Sequence, residues 1–420
     1  MTPETDNIYA WSRLAISLAL ATIGGIGAWA SVVALPAIQV EFGIDRAGAS
    51  LPYTATMIGF AFGGIIMGRF ADRRGIAAPL LIGAFALGAG FIFAALARSY
   101  TQFLVVQFLL IGLLGSSVTL GPLVADVSQW FLKKRGIAVA IVSSGNYLAG
   151  TIWPPFLQQA ISAYGWRATF MVIGALCIAT MIPLALLLSR RPVYQDRPSP
   201  ASKPSGTQGL LERPAFLQPL LVLAGLACCV AMSMPQVHIV AYCGDLGYGP
   251  ARGAEMLSLM LGCGVVSRLA FGAIADRIGG VRTLIIGSLL QCLALLFYIP
   301  FNGLASLYIV SALFGLAQGG IVPSYALIIR DFFPAREAGF RISLVITATV
   351  LGMALGGWMS GEIFDLTGSY QAAFWNGILW NLLNLTIAFW LFWNRTQRLA
   401  HRDVVPADKS YSRRRHAASI

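Results

Sequence analysis

The sequence predicts an all-α polytopic membrane protein: twelve transmembrane helices in two six-helix pseudo-repeat halves. Three observations predict it. Apolar runs of about 20 residues, each long enough to cross a hydrocarbon layer roughly 30 Å thick, recur from end to end of the 420-residue chain. One motif occurs twice, as Gly68-x-x-x-Asp72-Arg73-x-Gly75 and Gly272-x-x-x-Asp276-Arg277-x-Gly279, each after the second run of its half. Basic residues collect on alternate loops. With 57% hydrophobic and 11% charged residues, the composition lies far from the roughly 25% charge of a soluble domain.

Taken in order, the expected spans are Leu14–Val40, Leu51–Met67, Ile76–Ala97, Gln102–Val124, Gly136–Ala160, Ala168–Leu188, Phe216–Val240, Ala254–Ala275, Thr283–Ile299, Leu304–Ile329, Gly339–Ile363 and Ala372–Trp393. The first apolar run is too long for the core of a cleavable signal, and Met1 to Ala10 carries acids in place of a basic leader. Ser189–Arg213 is polar and rich in Pro, Ser and Arg, which reads as a linker. The expected organisation is therefore residues 1–189 as the first half, 190–214 as a cytoplasmic linker, 215–395 as the second half, and 396–420 as a basic, disordered cytoplasmic tail.

Net charge is +12, and its placement excludes the usual reading of a basic protein. Alternate loops plus the tail hold 23 of the 29 Lys and Arg, whereas the opposite loops hold Arg46, Arg98, Arg167 and Arg252. That asymmetry is the positive-inside pattern. It places both termini in the cytoplasm of a multi-pass cell (inner or plasma) membrane protein and makes nucleic acid an unsuitable partner. The six cysteines are scattered, nearly all in apolar runs, and read as small polarizable packing residues.

Arg268 stands out chemically. If Asp276 marks the membrane surface, Arg268 lies about 12 Å inward by helical rise, close to the middle of the layer. A cation there is costly and must face a wet cavity or a partner. Its guanidinium is a rigid fork of donors suited to a carboxylate. At comparable depth lie Asn146 and Tyr147 in the fifth span, Gln318 in the tenth, and Ser116, Ser117 and Thr119 in the fourth. Tyr325 lies nearer the cytoplasmic end, and Trp29 in the first span is a candidate cavity wall. These side chains can orient a carboxylate or an α-hydroxyl, or simply bond helix to helix. His238 reads as an ordinary hydrogen-bonded histidine near the outer end of its span.

Asp72, Arg73, Asp276 and Arg277 are expected at the cytoplasmic rim as gate residues. There the arginine is expected to pair with Asp126 at the end of the fourth span, and the carboxylate to face a helix N-terminus. Repeated halves imply a midplane site reached by rocking one half against the other.

With the duplicated motif, the linker and the twelve spans, the chain resembles the major facilitator superfamily over nearly its whole length. Within it, Trp130-Phe131-x-x-x-Arg135-Gly136-x-Ala138, Gly165-Trp166-Arg167-x-x-Phe170 and Asp245-Leu246-Gly247 resemble the monocarboxylate transporters and the bacterial oxalate/formate exchangers. The resemblance implies a carboxylate-binding arginine in the eighth helix, which falls on Arg268, and an aromatic in the tenth near the substrate, which favours Tyr325. Two departures accompany it. Animal relatives carry an aspartate one turn before the arginine and a lysine in the first helix, both tied to protons; here Gly264 takes the first place and the first span has no lysine. The second cation of the oxalate relative, in the eleventh helix, is also missing, which argues for a monoanion.

The expected function is secondary transport of a small organic monocarboxylate by alternating access, through proton symport or anion exchange, with no cofactor and with one chain sufficient. A drug exporter of the same superfamily is the alternative. A membrane enzyme is the remote one, since HExxH, GxSxG, a phosphate loop and paired core carboxylates are all lacking.

Overall fold

The computed structural model describes residues 7–131, 134–190, 214–333 and 335–404. Its spans are α1 (Ile8–Phe42), α2 (Arg46–Arg74), α3 (Ala77–Leu96), α4 (Tyr100–Trp130), α5 (136–164), α6 (166–187), α7 (Phe216–Asp245), α8 (Pro250–Ile278), α9 (Gly280–Phe297), α10 (Leu304–Phe332), α11 (Gly339–Thr367) and α12 (Tyr370–Asn394). Each begins or ends within about a turn or two of its expected place.

The boundary between α5 and α6 rests on one residue. Gly165 has φ 79° and ψ 159°, a conformation open to glycine alone, and the chain reverses there. Trp166 and Arg167 consequently meet Glu41 at one end of α1, whereas Leu188 reaches Arg13 at the other end. The closing glycine of the duplicated motif has the same kind of geometry in both copies: Gly75 at φ 82°, ψ 166° and Gly279 at φ 83°, ψ 163°. Each ends a long helix and lets the next one start within two residues. The motif recurs because the same sharp turn recurs.

Two apolar clusters form the core, one within the first half and one centred on the second. One apolar cluster runs through α1, α3, α4 and α6, including Leu87, Phe91, Phe103 and Phe170. The other runs through α7 to α12, including Leu257, Leu295, Phe314 and Phe374, and extends across the interface to Trp29 of α1, Tyr53 of α2 and Tyr147 of α5. Two interior helices are interrupted at matching places. In α4 the α-helix passes into a π-helix at Gln107–Gly115 and a 3₁₀ turn at Ser116–Thr119. In α10 it breaks at Gly319 and Gly320, between Leu304–Gln318 and Ile321–Phe332. Interrupted helices inside a membrane are tolerated only where protein or a wet cavity satisfies the freed backbone groups.

The halves meet along α2 against α11 and α5 against α8. At the end away from the termini these pairs are in close contact. A Cβ on Gly361 would stand 2.8 Å from Ala47 Cα, Thr54 donates to the Ala354 carbonyl at 3.0 Å, and Ser258 donates to the Thr151 carbonyl. At the end carrying the termini, a Cβ on Gly64 or Gly68 of α2, Gly136 of α5, Gly272 of α8 or Gly339 of α11 would meet nothing within 4 Å among the described residues. The two halves converge at one end and separate at the other.

Of the expected linker, 190–214, residues 191–213 lie outside the described residues, as do 405–420. Between them, the expectation of a disordered tail is corrected in part: the helix of α12 continues through Val404.

Candidate functional site

Halfway along α8, Arg268 reaches across to the first half. Its Nη1 donates to the Ser143 carbonyl at 2.7 Å, and its guanidinium carbon lies 4.4 Å from the ring centre of Tyr147. The carbonyl is available because α5 kinks at Ser144, between the helix that ends at Ser143 and the one that starts at Gly145. Nε of Arg268 is buried and has no partner, and no carboxylate pairs with this arginine among the described residues. The side chain remains partly exposed. The guanidinium therefore keeps donor capacity that the protein does not use.

Tyr147 covers the place one turn before Arg268. A Cβ on Gly264 would stand 2.7 Å from two ring carbons of Tyr147, so the ring occupies the volume that a side chain there would need. The missing acid and the tyrosine over the arginine are one packing arrangement. Asn146 is exposed beside them, with its amide oxygen toward Gly25 of α1. Trp29 is buried, donates Nε1 to the Asn146 carbonyl at 3.2 Å, and packs on Gly150. Gln318 closes the arrangement from α10 at the helix break. Its Oε1 accepts from Nε2 of Gln236 on α7 at 2.5 Å, while its own Nε2 is unpartnered. Arg268, Tyr147, Asn146, Trp29 and Gln318 thus come together at one depth. Gln236 was missed in the sequence because only the packing of α7 against α10 brings it to Gln318.

Other candidates go elsewhere. The Tyr325 hydroxyl is buried within the second half and donates to Asn384 at 2.8 Å, and Asn384 in turn donates to Ser288 at 2.7 Å. It ties α10 to α12 and α9. Ser116 donates weakly to the Gly24 carbonyl at 3.4 Å, and Thr119 donates to the Ser116 carbonyl at 2.6 Å. Both are buried between α4 and α1, where their hydroxyls satisfy backbone freed by the helix irregularity. None of the three is brought to Arg268.

The expected pairing of Arg73 with Asp126 is corrected. Asp126 belongs to Arg13 of α1, whose Nε and Nη2 each donate to it at 2.8 Å in a bidentate pair. The Leu188 carbonyl, the Tyr9 hydroxyl and the Trp130 ring complete the surroundings of Arg13, which is 1% exposed. Asp126 is thereby a fastening within the first half. Asp72, Arg73, Asp276 and Arg277 are all exposed at the separated end, with no ion pair among the described residues.

At the converged end, Asp365 and Asp245 of the second half hold Arg46 and the start of α2 of the first. Asp365 of α11 accepts from the backbone amides of Arg46 and Ala47, at 2.9 and 2.6 Å, and so caps the first turn of α2. Arg46 donates through Nη2 to both oxygens of Asp245, at 2.9 and 3.0 Å, and lies over the Phe364 ring. His238 donates Nε2–H to the Gly357 carbonyl at 2.7 Å, so Nδ1 accepts from the Tyr370 hydroxyl at 3.1 Å. A carbonyl accepts only, which fixes that tautomer.

Comparison with known proteins agrees with this architecture. Monocarboxylate transporter 13 of Bos taurus is 26% identical over 332 residues, 78% of this chain and 75% of that protein. The agnestins efflux protein AgnL12 of Paecilomyces divaricatus is 23% identical over 346 residues, 81% and 78% of the two chains. Among solved structures, a bacterial homolog of the human lysosomal transporter Spinster, in an inward-facing and unoccupied conformation, superposes with a TM-score of 0.69. It is 15% identical, covering 96% of this chain and all of that one, a likeness of fold. The family profile described as Major Facilitator Superfamily matches residues 17–277 and 254–413. The chain belongs to the Major Facilitator Superfamily and is a multi-pass membrane transporter.

Proposed function

We propose that the protein carries a small organic monocarboxylate across the cell membrane by alternating access, with Arg268 as the anchor for the carboxylate. The observation that carries the reading is the state of that guanidinium: at mid-depth, partly exposed, bonded to one carbonyl, with Nε unpartnered. A carboxylate would take the Nε and Nη2 donors bidentately, as Asp126 does on Arg13, with Nη1 left on the Ser143 carbonyl. The ring of Tyr147 on one side and the exposed amide of Asn146 on another suit a small anion. The monocarboxylate transporter among the relatives supports the same class.

The separated end is the basic one, so the positive-inside pattern makes this conformation open to the cytoplasm. The closed outer end is then the Asp365, Arg46 and Asp245 contact, and the exposed Asp72, Arg73, Asp276 and Arg277 are inner gate residues in their released state. Each half supplies part of the site from a single chain, so a monomer is sufficient. The same unpaired cation ranks anion exchange ahead of proton symport. An empty carrier would have to close both ends around a guanidinium without a carboxylate, which is costly in a dehydrated core; a bound anion neutralises it.

The test is uptake of labelled monocarboxylates into proteoliposomes by wild type and Arg268→Ala in parallel. Saturable uptake lost in the variant is the expected result; equal uptake by both would remove the anchor role. Stimulation by acid preloaded inside, with no response to an imposed pH gradient, identifies exchange. Export of larger neutral compounds is the second reading, favoured by the efflux protein among the relatives, and it predicts transport that ignores Arg268.

A further inference from the structure

His238 of α7 has no exposed surface, and nothing in the proposed transport cycle uses it. It lies about 10 Å by helical rise inside Asp245, which ends α7 at the converged end. Its two ring partners come from other helices of the second half. The Gly357 carbonyl of α11 takes Nε2–H, and the Tyr370 hydroxyl of α12 donates to Nδ1. Both partners lie against α2 of the first half. A Cβ on Gly357 would stand 3.2 Å from Cδ1 of Tyr53. The Arg46 guanidinium carbon lies 5.9 Å from the centre of the Tyr370 ring, and the His238 ring lies 5.4 Å from the same centre. His238 is therefore sealed in by the helix that must withdraw when the converged end opens.

The closed arrangement fits a neutral ring. Nε2–H already donates, and Nδ1 accepts only while it carries no proton. A second proton would oblige the Tyr370 hydroxyl to give up its donation and would set a positive charge beside Arg46. No carboxylate bonds the ring among the described residues. Asp245 of α7 and Asp365 of α11 are both engaged with α2, and Tyr242 of α7 packs on the Tyr370 ring at 5.3 Å. Once α2 withdraws, water reaches the ring, and an imidazole in water takes a proton near pH 6.5. The charged ring then opposes the return of Arg46. We infer that His238 is a pH-sensitive switch of the outer end: acid on the outer face shifts the carrier toward the conformation open on that side. The sign follows from linkage, because the open form takes the proton and the closed form does not. The closed form holds its full share above about pH 6.5 and loses it as the outer pH falls below that value. The switch answers to the outer pH alone, so a gradient made by changing the inner pH leaves it untouched. This inference rests on the rocking of the halves in the proposed cycle and is independent of what is carried.

The experiment reads the distance between spin labels at Arg98 and Gln371, one on each half at the converged end, in wild type, His238→Gln and Tyr370→Phe. The pH is lowered from about 7.5 to about 5.5, a range that brackets the titration of an imidazole in water. The long-distance population of wild type should grow by up to about tenfold, the ratio allowed by a group that titrates near 6.5 in the open form alone. Glutamine keeps a donor and an acceptor without a titration, so His238→Gln should stay closed throughout. Tyr370→Phe removes the hydroxyl but leaves the ring titratable, so it should keep the acid response. A His238→Gln protein that is not closed at the higher pH is replaced by His238→Phe, equally untitratable and of ring size. An acid response that persists without the histidine belongs to Asp245 or Asp365 and overturns the inference. A wild type that transports but ignores acid also overturns it, leaving the transport reading in place. A wild type that opens in acid through His238 but takes up no monocarboxylate keeps the switch and loses the substrate reading.

Discussion

Arg13 and Arg268 are both arginines inside apolar helices, and their surroundings are opposite. Arg13 is saturated: a bidentate carboxylate from Asp126, a carbonyl, a hydroxyl and an aromatic face, at 1% exposure. Arg268 has one carbonyl and an aromatic face, keeps a buried nitrogen unbonded, and remains partly exposed. A cation whose donors are all used within the chain fastens helices. One whose donors are left over keeps them available, as the proposed anchor role requires.

The contrast breaks most sharply at Asp126. Asp126→Ala leaves Arg13 buried without its counter-charge and should cost about 3–5 kcal/mol, read as a large fall in the thermal midpoint of the detergent-solubilised protein. Replacing both partners with apolar residues, Arg13→Met with Asp126→Leu, should recover most of that loss, because a buried pair is often exchangeable for apolar packing as a unit. Transport should return with stability. A double variant that is stable but inactive would show that the pair does more than fasten.

Arg268→Ala should behave in the opposite way. Uptake should fall about 100-fold, equivalent to about 2.7 kcal/mol, while the thermal midpoint moves little, since the protein loses one carbonyl contact and the aromatic face of Tyr147. Arg268→Lys should not rescue it, because an ammonium offers no planar fork. Rescue by lysine would reduce the role to charge alone.

A smaller effect tests the contact that closes the converged end. Arg46→Ala removes charged hydrogen bonds of about 1.5–3 kcal/mol from one conformation only, so the population open at that end should grow at least about tenfold. Spin labels at Arg98 and Gln371, one on each half at that end, should report longer distances, and labels at Arg73 and Arg277 shorter ones. Unchanged distances would mean that apolar contact along α2 and α11 holds that end without the charges.

The smallest effect is expected at Tyr325. Its hydroxyl bonds Asn384 within the second half, so Tyr325→Phe should cost about 0.6 kcal/mol of stability, the usual worth of such a bond between membrane helices, with no change in KM. A raised KM would bring Tyr325 back into the site.

The architecture was legible because the bilayer imposes it. Span length, loop charge and a duplicated turn motif are local or periodic properties, and twelve spans in two halves follow from them. Arg268 was legible for the same reason: a cation at mid-depth violates the local rule and draws attention by itself. Arg13 lies at a helix end and drew none, although the structure buries it more completely. The polar candidates divided according to something the sequence does not carry, namely which face of each helix meets which neighbour. Tyr147 and Gln318 meet α8 within a turn of Arg268, whereas Asn146 turns its amide toward Gly25 and Trp29 bonds the Asn146 carbonyl. Ser116, Thr119 and Tyr325 satisfy carbonyls and amides inside their own halves. Gln236 joined the site only through its bond to Gln318.

By itself, then, the sequence determined the number of spans, the repeat and the one cation left at mid-depth, because hydropathy and charge act residue by residue along a helix. Tertiary structure alone decided that Asp126 answers Arg13, that Asp365 caps α2, and that the ring of Tyr147 fills the space over Gly264. Each of these depends on two distant helices meeting at a particular height and rotation. Packing sets that geometry, and no stretch of sequence contains it.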